Sequence, residues 1–461
     1  MLRRFWMVLG LATALAGCGA ADDEATAAEP RSLEAIKESG KLVVLTRNAP
    51  TTWYINRNGD DVGPEYDKVE AFADSLGVDV EIRDKPTVSA ILKGLRAGEG
   101  DLAAAGLTVT EQRKADFQFG PAYQDVTQQV VCRRDHVQPE SIEDLVGLDL
   151  HVIADSSYSQ RLAELKANGH PDLEWSERES MTTESLLRAV WQREIDCTVA
   201  DSTIVDINRR YFPELLTPFN LSRVQSLAWA MPEGSDALAQ RATAWLEDFR
   251  ESGELKNLQE RYYGFFEIFD YVDTRVYIRR IDERFPDFRK SFQAAAEKYD
   301  LPPLLLAAQG YQESHWNPNA RSPTGVRGIM MLTQNTAREM GVTNRLDPQQ
   351  SINGGAKYLA KMKKRFVDEV TEPDRTFMAL AAYNVGRAHM HDAQVLARRM
   401  DLSPHEWSDI KQVLPLLADK RYYTTLKYGY ARGREPVRYV QRIREYRHVL
   451  ENQAGITGRY Q

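Results

Sequence analysis

Two parts of different class are expected in this 461-residue chain, an α/β part followed by an all-helical part. The length exceeds what one core comfortably holds. Residues 32–268 alternate short β-rich runs with helical stretches, whereas helical periodicity dominates from Val276 onward. Charge divides at the same place: residues 270–461 carry 31 Lys+Arg against 22 Asp+Glu, and residues 1–269 carry 28 against 45.

The first residues are read separately from the fold. Arg3 and Arg4 precede an apolar run, Phe5 to Ala16, too short for an ordinary membrane-spanning helix, and "LAGC" follows at Leu15 to Cys18. This is the pattern of an export signal, assigned to residues 1–17, with 18–31 as a small, acidic, aperiodic tether. The small residues before Cys18 resemble the bacterial lipobox, which implies a lipidated cysteine and attachment to a membrane surface; Gly19, where an aspartate would retain a lipoprotein at the inner membrane, implies the periplasmic face of the outer membrane. A plain cleaved signal with an incidental cysteine is the alternative.

Cys132 and Cys197 lack the CxxC or Cys/His spacing of a zinc site, and no metal or cofactor is expected. In an oxidising compartment they form one disulfide or remain two buried thiols; spacing does not choose. The basic second half suits an anionic polymer or is a solvated arginine-rich surface. Export disfavours nucleic acid and leaves a cell-wall glycan with carboxylate-bearing peptides compatible.

Within residues 32–268, "KLVVLT", "VDVEIR", "DLAAAGLTV", "QQVVCRR", "DLHVIA" and "IDCTVAD" read as strands separated by helical segments such as "EYDKVEAFADSLG". Their order, with "ILKGLRAGEGDLAAAGLTVTEQRKADFQFGPAY" and "IADSSYSQRL", resembles the amino-acid-type periplasmic solute-binding proteins, two lobes that close on a ligand. The resemblance implies that Arg113, in the T-x-x-R turn, grips a ligand carboxylate, that Thr108 adds a hydrogen bond, and that Asp201 accepts a ligand ammonium. A guanidinium suits that task because its planar fork makes two bonds to a carboxylate. Ser156 and Ser157 are placed to offer hydroxyl and N–H groups at a helix start; Trp53 and Tyr54 are expected to cover the apolar part of an amino acid or muropeptide. The bland readings are a surface ion pair for Arg113, caps for Ser156 and Asp201, and core packing for Trp53.

After the junction "YGFFEIFDYVDTR", residues 269–461 read as short helices punctuated by Pro and Gly. "LPPLLLAAQGYQESHWNP" starts with prolines suited to a first turn and is expected to stop at Asn317-Pro318. On that helix Glu313 lies over Gln309 and Gly310 one turn back and Leu306 two turns back, facing a partly apolar wall with a small residue leaving access. Such surroundings disfavour the ionised carboxylate and suit a general acid.

"ESHWNP", "SPTGVRGIMML", "LAAYNVG" and "YGYARGREPVRYVQRI" resemble, in order, the motifs of the lysozyme-like lytic transglycosylase domain. The resemblance implies a peptidoglycan-cleaving enzyme in which Glu313 both donates and removes a proton, Ser322 and Gly325 shape the adjoining loop, Tyr383 and Asn384 line the cleft, and Tyr439 and Glu435 stand near the acid. Many members carry glutamine where this chain has Met331; Met330 and Met331 read as packing. The competing expectations are a periplasmic solute-binding or sensor protein with an inert lysozyme-like domain, and a wall-binding scaffold.

Overall fold

The computed structural model describes residues 29–55, 59–266, 271–322 and 325–457. The leader 1–17, Cys18 and most of the tether lie outside the described residues, as do residues 267–270, where the boundary at 268/269 was expected.

The α/β part consists of two lobes, each built on a five-stranded sheet. Lobe one orders its strands Asp79–Asp84, Lys41–Thr46, Leu102–Ala103, Ala230–Pro232 and Phe117–Phe119. The first three run parallel, and Ala230–Pro232 is antiparallel to both neighbours. Leu42 to Thr46 is buried throughout, as expected of a strand covered on both faces. Trp229 and Trp245 stack 5.6 Å apart beside Phe72 and anchor the flanking helices Pro64–Leu76 and Asp236–Glu251.

Lobe two orders its strands Ser176–Arg178, Leu150–Ile153, Cys197–Asp201, Gln128–Arg133 and Leu215–Leu216. Cys132 and Cys197 stand directly opposite one another on antiparallel neighbours, with Cα atoms 4.4 Å apart, and are disulfide-bonded. The chain crosses between lobes twice, and the crossings, Gln124–Val126 and Gln225–Leu227, pair as an antiparallel ribbon. Such a ribbon makes a two-strand hinge, where few residues absorb a change of angle.

The second part is helical around one core that includes Phe285, Phe292, Leu305, Tyr311, Trp316, Met378 and Ile443. Helix Pro303–Ser314 lies at its centre, packed against Phe285–Tyr299 and the long terminal helix Arg434–Thr457. It ends earlier than expected. His315 and Trp316 both adopt φ of 54°, a left-handed reversal that turns the Trp316 indole into the core, where its N–H donates to the Ala307 carbonyl at 2.9 Å. Burial of that indole outweighs the conformational cost of two consecutive left-handed residues.

The parts are joined through helix Glu254–Tyr263. Buried Glu260 accepts from Lys411 at 2.6 Å and from the buried Arg444 guanidinium, and Ser408 donates to Asn257 at 2.6 Å. A methyl group on Gly264 would lie 2.0 Å from the Glu260 carboxylate, so a larger residue there would have to displace that side chain from its partners. Farther along the interface Arg210 pairs with Glu445 at 3.2 Å and Tyr211 hydrogen-bonds His448, whose imidazole burial holds down to a pKa of about 4. A cavity of about 960 Å³ lies beside these contacts, lined by Tyr54, Tyr262, Phe265, Phe377, Arg447 and Glu451 among others.

Candidate functional site

Two sites emerge, one in each part. The first is built around Glu313, in the last turn of its helix. Gly310 does not leave the access expected of it: a methyl group there would lie 2.6 Å from the Phe292 ring, so its smallness serves close helix packing. Glu313 itself is half-buried, with its carboxyl group largely withdrawn from water. Burial pushes its carboxyl group up to about pH 8, opposed only by a hydrogen bond from Tyr439. No other charged group is among the causes of that shift.

Tyr439 reaches the acid from helix Arg434–Thr457. Its hydroxyl donates to Glu313 Oε1 and accepts from the Gln309 amide at 3.1 Å. Gln309 is fully buried, one turn before Glu313 on the same face, and its carbonyl oxygen has no protein partner. The sequence placed Gln309 beside the acid without giving it a role; it orients the tyrosine. Tyr383 lies close enough for the Glu313 charge to raise its phenol pKa, which burial already drives well up, and it donates to the Met330 carbonyl at 2.9 Å.

The "SPTGVRGIMML" loop is held from behind. Arg345 donates to the Gly325 and Leu332 carbonyls at 2.8 and 2.9 Å, and Ser351 accepts from Met330 N–H. Gly328, at φ 82°, passes so close to Arg345 that an added methyl group would lie 1.8 Å from its carbonyl oxygen. Ser322 braces the loop through Val326, Gly325 takes φ 83°, and Met331 sits at φ 45°, half-buried, while Met330 is in the core. Asn384 is exposed one position past Tyr383. Glu435 lies one turn before Tyr439, 60% exposed and paired with Arg432 at 3.4 Å, in water rather than in the enclosure that surrounds Glu313.

The second site lies between the lobes, where Thr108, Arg113, Ser156, Ser157 and Asp201 line one cavity of about 30 Å³. Arg113 donates to the Thr108 and Asp155 carbonyls at 3.1 and 3.2 Å, and its Nε has no partner. Buried away from any paired carboxylate, its pKa falls to about 10, while burial lifts Asp201 to about 7 with Oδ1 unpartnered. A cation and an acid thus stand in one cavity without being paired. Ser156 is the helix cap of the bland reading, accepting from Ser159 N–H, and still lines the cavity; Ser157 donates across the lobes to Thr108 at 3.3 Å.

Trp53 and Tyr54 do not line this cavity, contrary to expectation. Tyr54 begins a short hairpin strand paired with Asp61–Val62, and Trp53 is tied to Asp61 at 2.7 Å. The hairpin delivers Tyr54 to the interdomain cavity instead. Arg47 and Tyr158 line the cleft and were not anticipated. The available signal was position: Arg47 follows the carboxyl end of strand Lys41–Thr46, where open α/β sheets bind ligands.

Comparison with known proteins accounts for both parts. Residues 41–265 match the bacterial extracellular solute-binding proteins, family 3, and residues 290–403 match the transglycosylase SLT domain. Membrane-bound lytic murein transglycosylase F 2 of Alkalilimnicola ehrlichii is 48% identical over 91% of this chain and 93% of its own length. Membrane-bound lytic murein transglycosylase F of Saccharophagus degradans is 44% identical over 98% of this chain and 89% of its own. With both domains present in the same order and nearly the whole length aligned, the chain belongs to the membrane-bound lytic murein transglycosylase F family.

Proposed function

We infer that the protein is a peptidoglycan lytic transglycosylase with an N-terminal ligand-binding domain. The carrying observation is the lone, enclosed Glu313 carboxyl group, raised to about pH 8 with no second acid contributing to its environment. Ordinary glycoside hydrolysis uses two carboxyl groups, one for the leaving group and one for water or the anomeric carbon. One suffices when the sugar supplies the nucleophile. In the proposed reaction Glu313 protonates the oxygen leaving C1 of N-acetylmuramic acid. The resulting carboxylate then takes the proton from the muramyl C6 hydroxyl, whose oxygen bonds to C1 and closes a 1,6-anhydro ring. The attacking group is already tethered, which gives it a high effective concentration. Ser322, Gly325, Met331, Tyr383 and Asn384 are assigned to the glycan cleft, with Tyr439 positioning the acid and Glu435 at the rim.

Digested sacculi analysed by mass spectrometry test this reading. Anhydromuropeptides are expected; reducing-end muramic acid would mean hydrolysis, and unchanged sacculi would leave a sensor or scaffold.

We further propose that residues 32–268 bind an amino acid or wall peptide through Arg113 and Asp201 and regulate residues 269–461. A ligand shifts activity only by preferring one arrangement of the parts. We also propose lipidation of Cys18 and residence at the outer membrane. The relatives are named membrane-bound, and among the described residues no helix is long and apolar enough to cross a membrane. Acyl-chain mass spectrometry of the N-terminal peptide checks the anchor, and an unmodified soluble native chain would overturn it.

A further inference from the structure

The lobes are closed around a cavity with room for a water molecule or two and for no amino acid. One ion pair spans the lobes at the wall of this cavity. Arg47, at the end of the first strand of lobe one, makes a two-pronged contact with Glu184 of lobe two, both bonds 2.9 Å. Ser89 with Asp155, Arg113 with the Asp155 carbonyl, and Ser157 with Thr108 are further contacts across the lobes, and Val88 of lobe one packs against the core of lobe two.

The two members of the pair are not equally dependent on it. The Arg47 side chain is 8% exposed and forms part of the cavity wall beside Arg113 and Asp201. The Glu184 side chain is 21% exposed and sits in the first turn of helix Thr183–Gln192, where the helix end favours a negative charge whether or not Arg47 is attached. Any ligand that enters must part the lobes and disturb this pair. When the lobes close again on a ligand that separates the pair, Glu184 can turn towards water, but Arg47 in the cavity wall would be an uncompensated buried charge, the costly outcome when one partner of such a pair is lost. A ligand that offers Arg47 a new carboxylate removes that cost.

We propose that Arg47 is the specificity-determining residue of the interlobe cleft, selecting ligands with a second carboxylate beyond the one held by Arg113, and that Glu184 is its internal competitor in the empty protein. The inference rests on the reading that this cleft binds a ligand. The charges agree: Arg113 and Asp201 match the two ends of a zwitterion, and the second carboxylate takes over the role of Glu184 on Arg47. Glu184 therefore opposes binding, although it stabilises closure of the empty cleft. Acidic amino acids and wall-peptide fragments with a free side carboxylate share this chemistry.

Calorimetric titration of the full-length, detergent-solubilised protein tests the idea with paired probes differing by one carboxylate. L-glutamate is compared with L-glutamine, and L-alanyl-γ-D-glutamate with L-alanyl-D-isoglutamine; L-arginine supplies the opposite charge. The carboxylate member of at least one pair is expected to bind about tenfold or more tightly than its amide, and the tighter pair distinguishes free amino acid from wall peptide. Arg47→Gln should reduce that preference to within about threefold, whereas Glu184→Gln should tighten the carboxylate ligand several-fold, a gain that loss of a purely structural bridge would not produce. Thermal melts show that each variant is folded, and the sign of the Glu184→Gln effect decides the matter even if Arg47→Gln fails to fold. Equal binding of acid and amide, tighter binding of arginine, or weakening by Glu184→Gln would overturn the proposal. If acid and amide bind equally and both are lost in Arg113→Ala, the ligand-site reading stands and only the role of Arg47 fails. If no probe binds the native protein, both fail.

Discussion

The Tyr439 hydroxyl is suspended between two groups of one helix, donating to the Glu313 carboxylate and accepting from the Gln309 amide at 3.1 Å. A hydrogen bond donated to a carboxylate favours its ionised form, so Tyr439 restrains a pKa that burial raises. Removing the hydroxyl should therefore move the pKa of Glu313 further up. In Tyr439→Phe the alkaline fall of the pH–rate profile, placed near pH 8 in the native enzyme, is expected at higher pH, with turnover lowered about 10- to 100-fold because the acid is no longer oriented. Initial rates of anhydromuropeptide release across pH 5–10 check both effects; an unmoved alkaline limb would mean that the phenol does not act through Glu313.

Glu313→Gln is expected to lower turnover by at least about a thousandfold, since the amide keeps the shape and has no proton to give. Muropeptide chromatography reads the loss. Turnover near native would relocate the acid, with Glu435 the first alternative.

The same substitution should stabilise the fold. A carboxyl group with pKa about 8 in the native state and near 4.5 when unfolded retains its proton in the folded chain over the intervening range. The native state then binds more protons than the unfolded one, so the contribution of Glu313 to stability falls as pH rises from about 4.5 to 8 and is most unfavourable above 8. Glu313→Gln should thus raise stability by about 1–3 kcal/mol at pH 8 and by little at pH 4.5. Thermal unfolding at the two pH values measures it; a gain independent of pH would contradict the enclosed-acid account.

Replacing both Cys132 and Cys197 with alanine is expected to destabilise the α/β part by about 3–4 kcal/mol. The bridge closes a loop of 65 residues, and opening it restores freedom to the unfolded chain. Denaturant titration of oxidised and double-alanine proteins checks this, and an unchanged midpoint would show that the pairing contributes nothing.

At the junction, Glu260→Ala should leave the buried Arg444 guanidinium without its carboxylate, at a cost of about 3 kcal/mol or more. Because this pair crosses between the parts, the loss should appear as two separated calorimetric transitions. Proteolytic cleavage between Gly264 and Tyr271 should also become faster. A single unshifted transition would show that the docking does not depend on Glu260.

The arrangement of strands and helices was legible because periodicity and Gly/Pro punctuation are local, and Glu313 was legible because short motifs flank it. Arg113, Asp201, Thr108, Ser156 and Ser157 share one cavity; Asp201 ends a strand and Ser156 and Ser157 begin a helix, positions that local pattern reveals. Trp53 and Tyr54 were misplaced because the direction of a short hairpin depends on its partner strand and on the neighbouring domain. The early end of the Glu313 helix depends on a pocket for Trp316 assembled from distant helices. The cross-lobe partner of Arg47 lies 137 residues away, a separation at which no local pattern couples two positions.

Helix Arg434–Thr457 carries Tyr439 at the acid and, nine positions on, His448 against Tyr211 of lobe two. Along an α-helix nine residues span about 13 Å and behave as a stiff beam. A tilt of about five degrees, pivoting at the His448 end, displaces the Tyr439 end by about 1 Å, comparable to the whole tolerance of a hydrogen bond. One rigid element thus touches the catalytic acid near one end and the α/β part farther along, so a shift at either contact has a lever to the other.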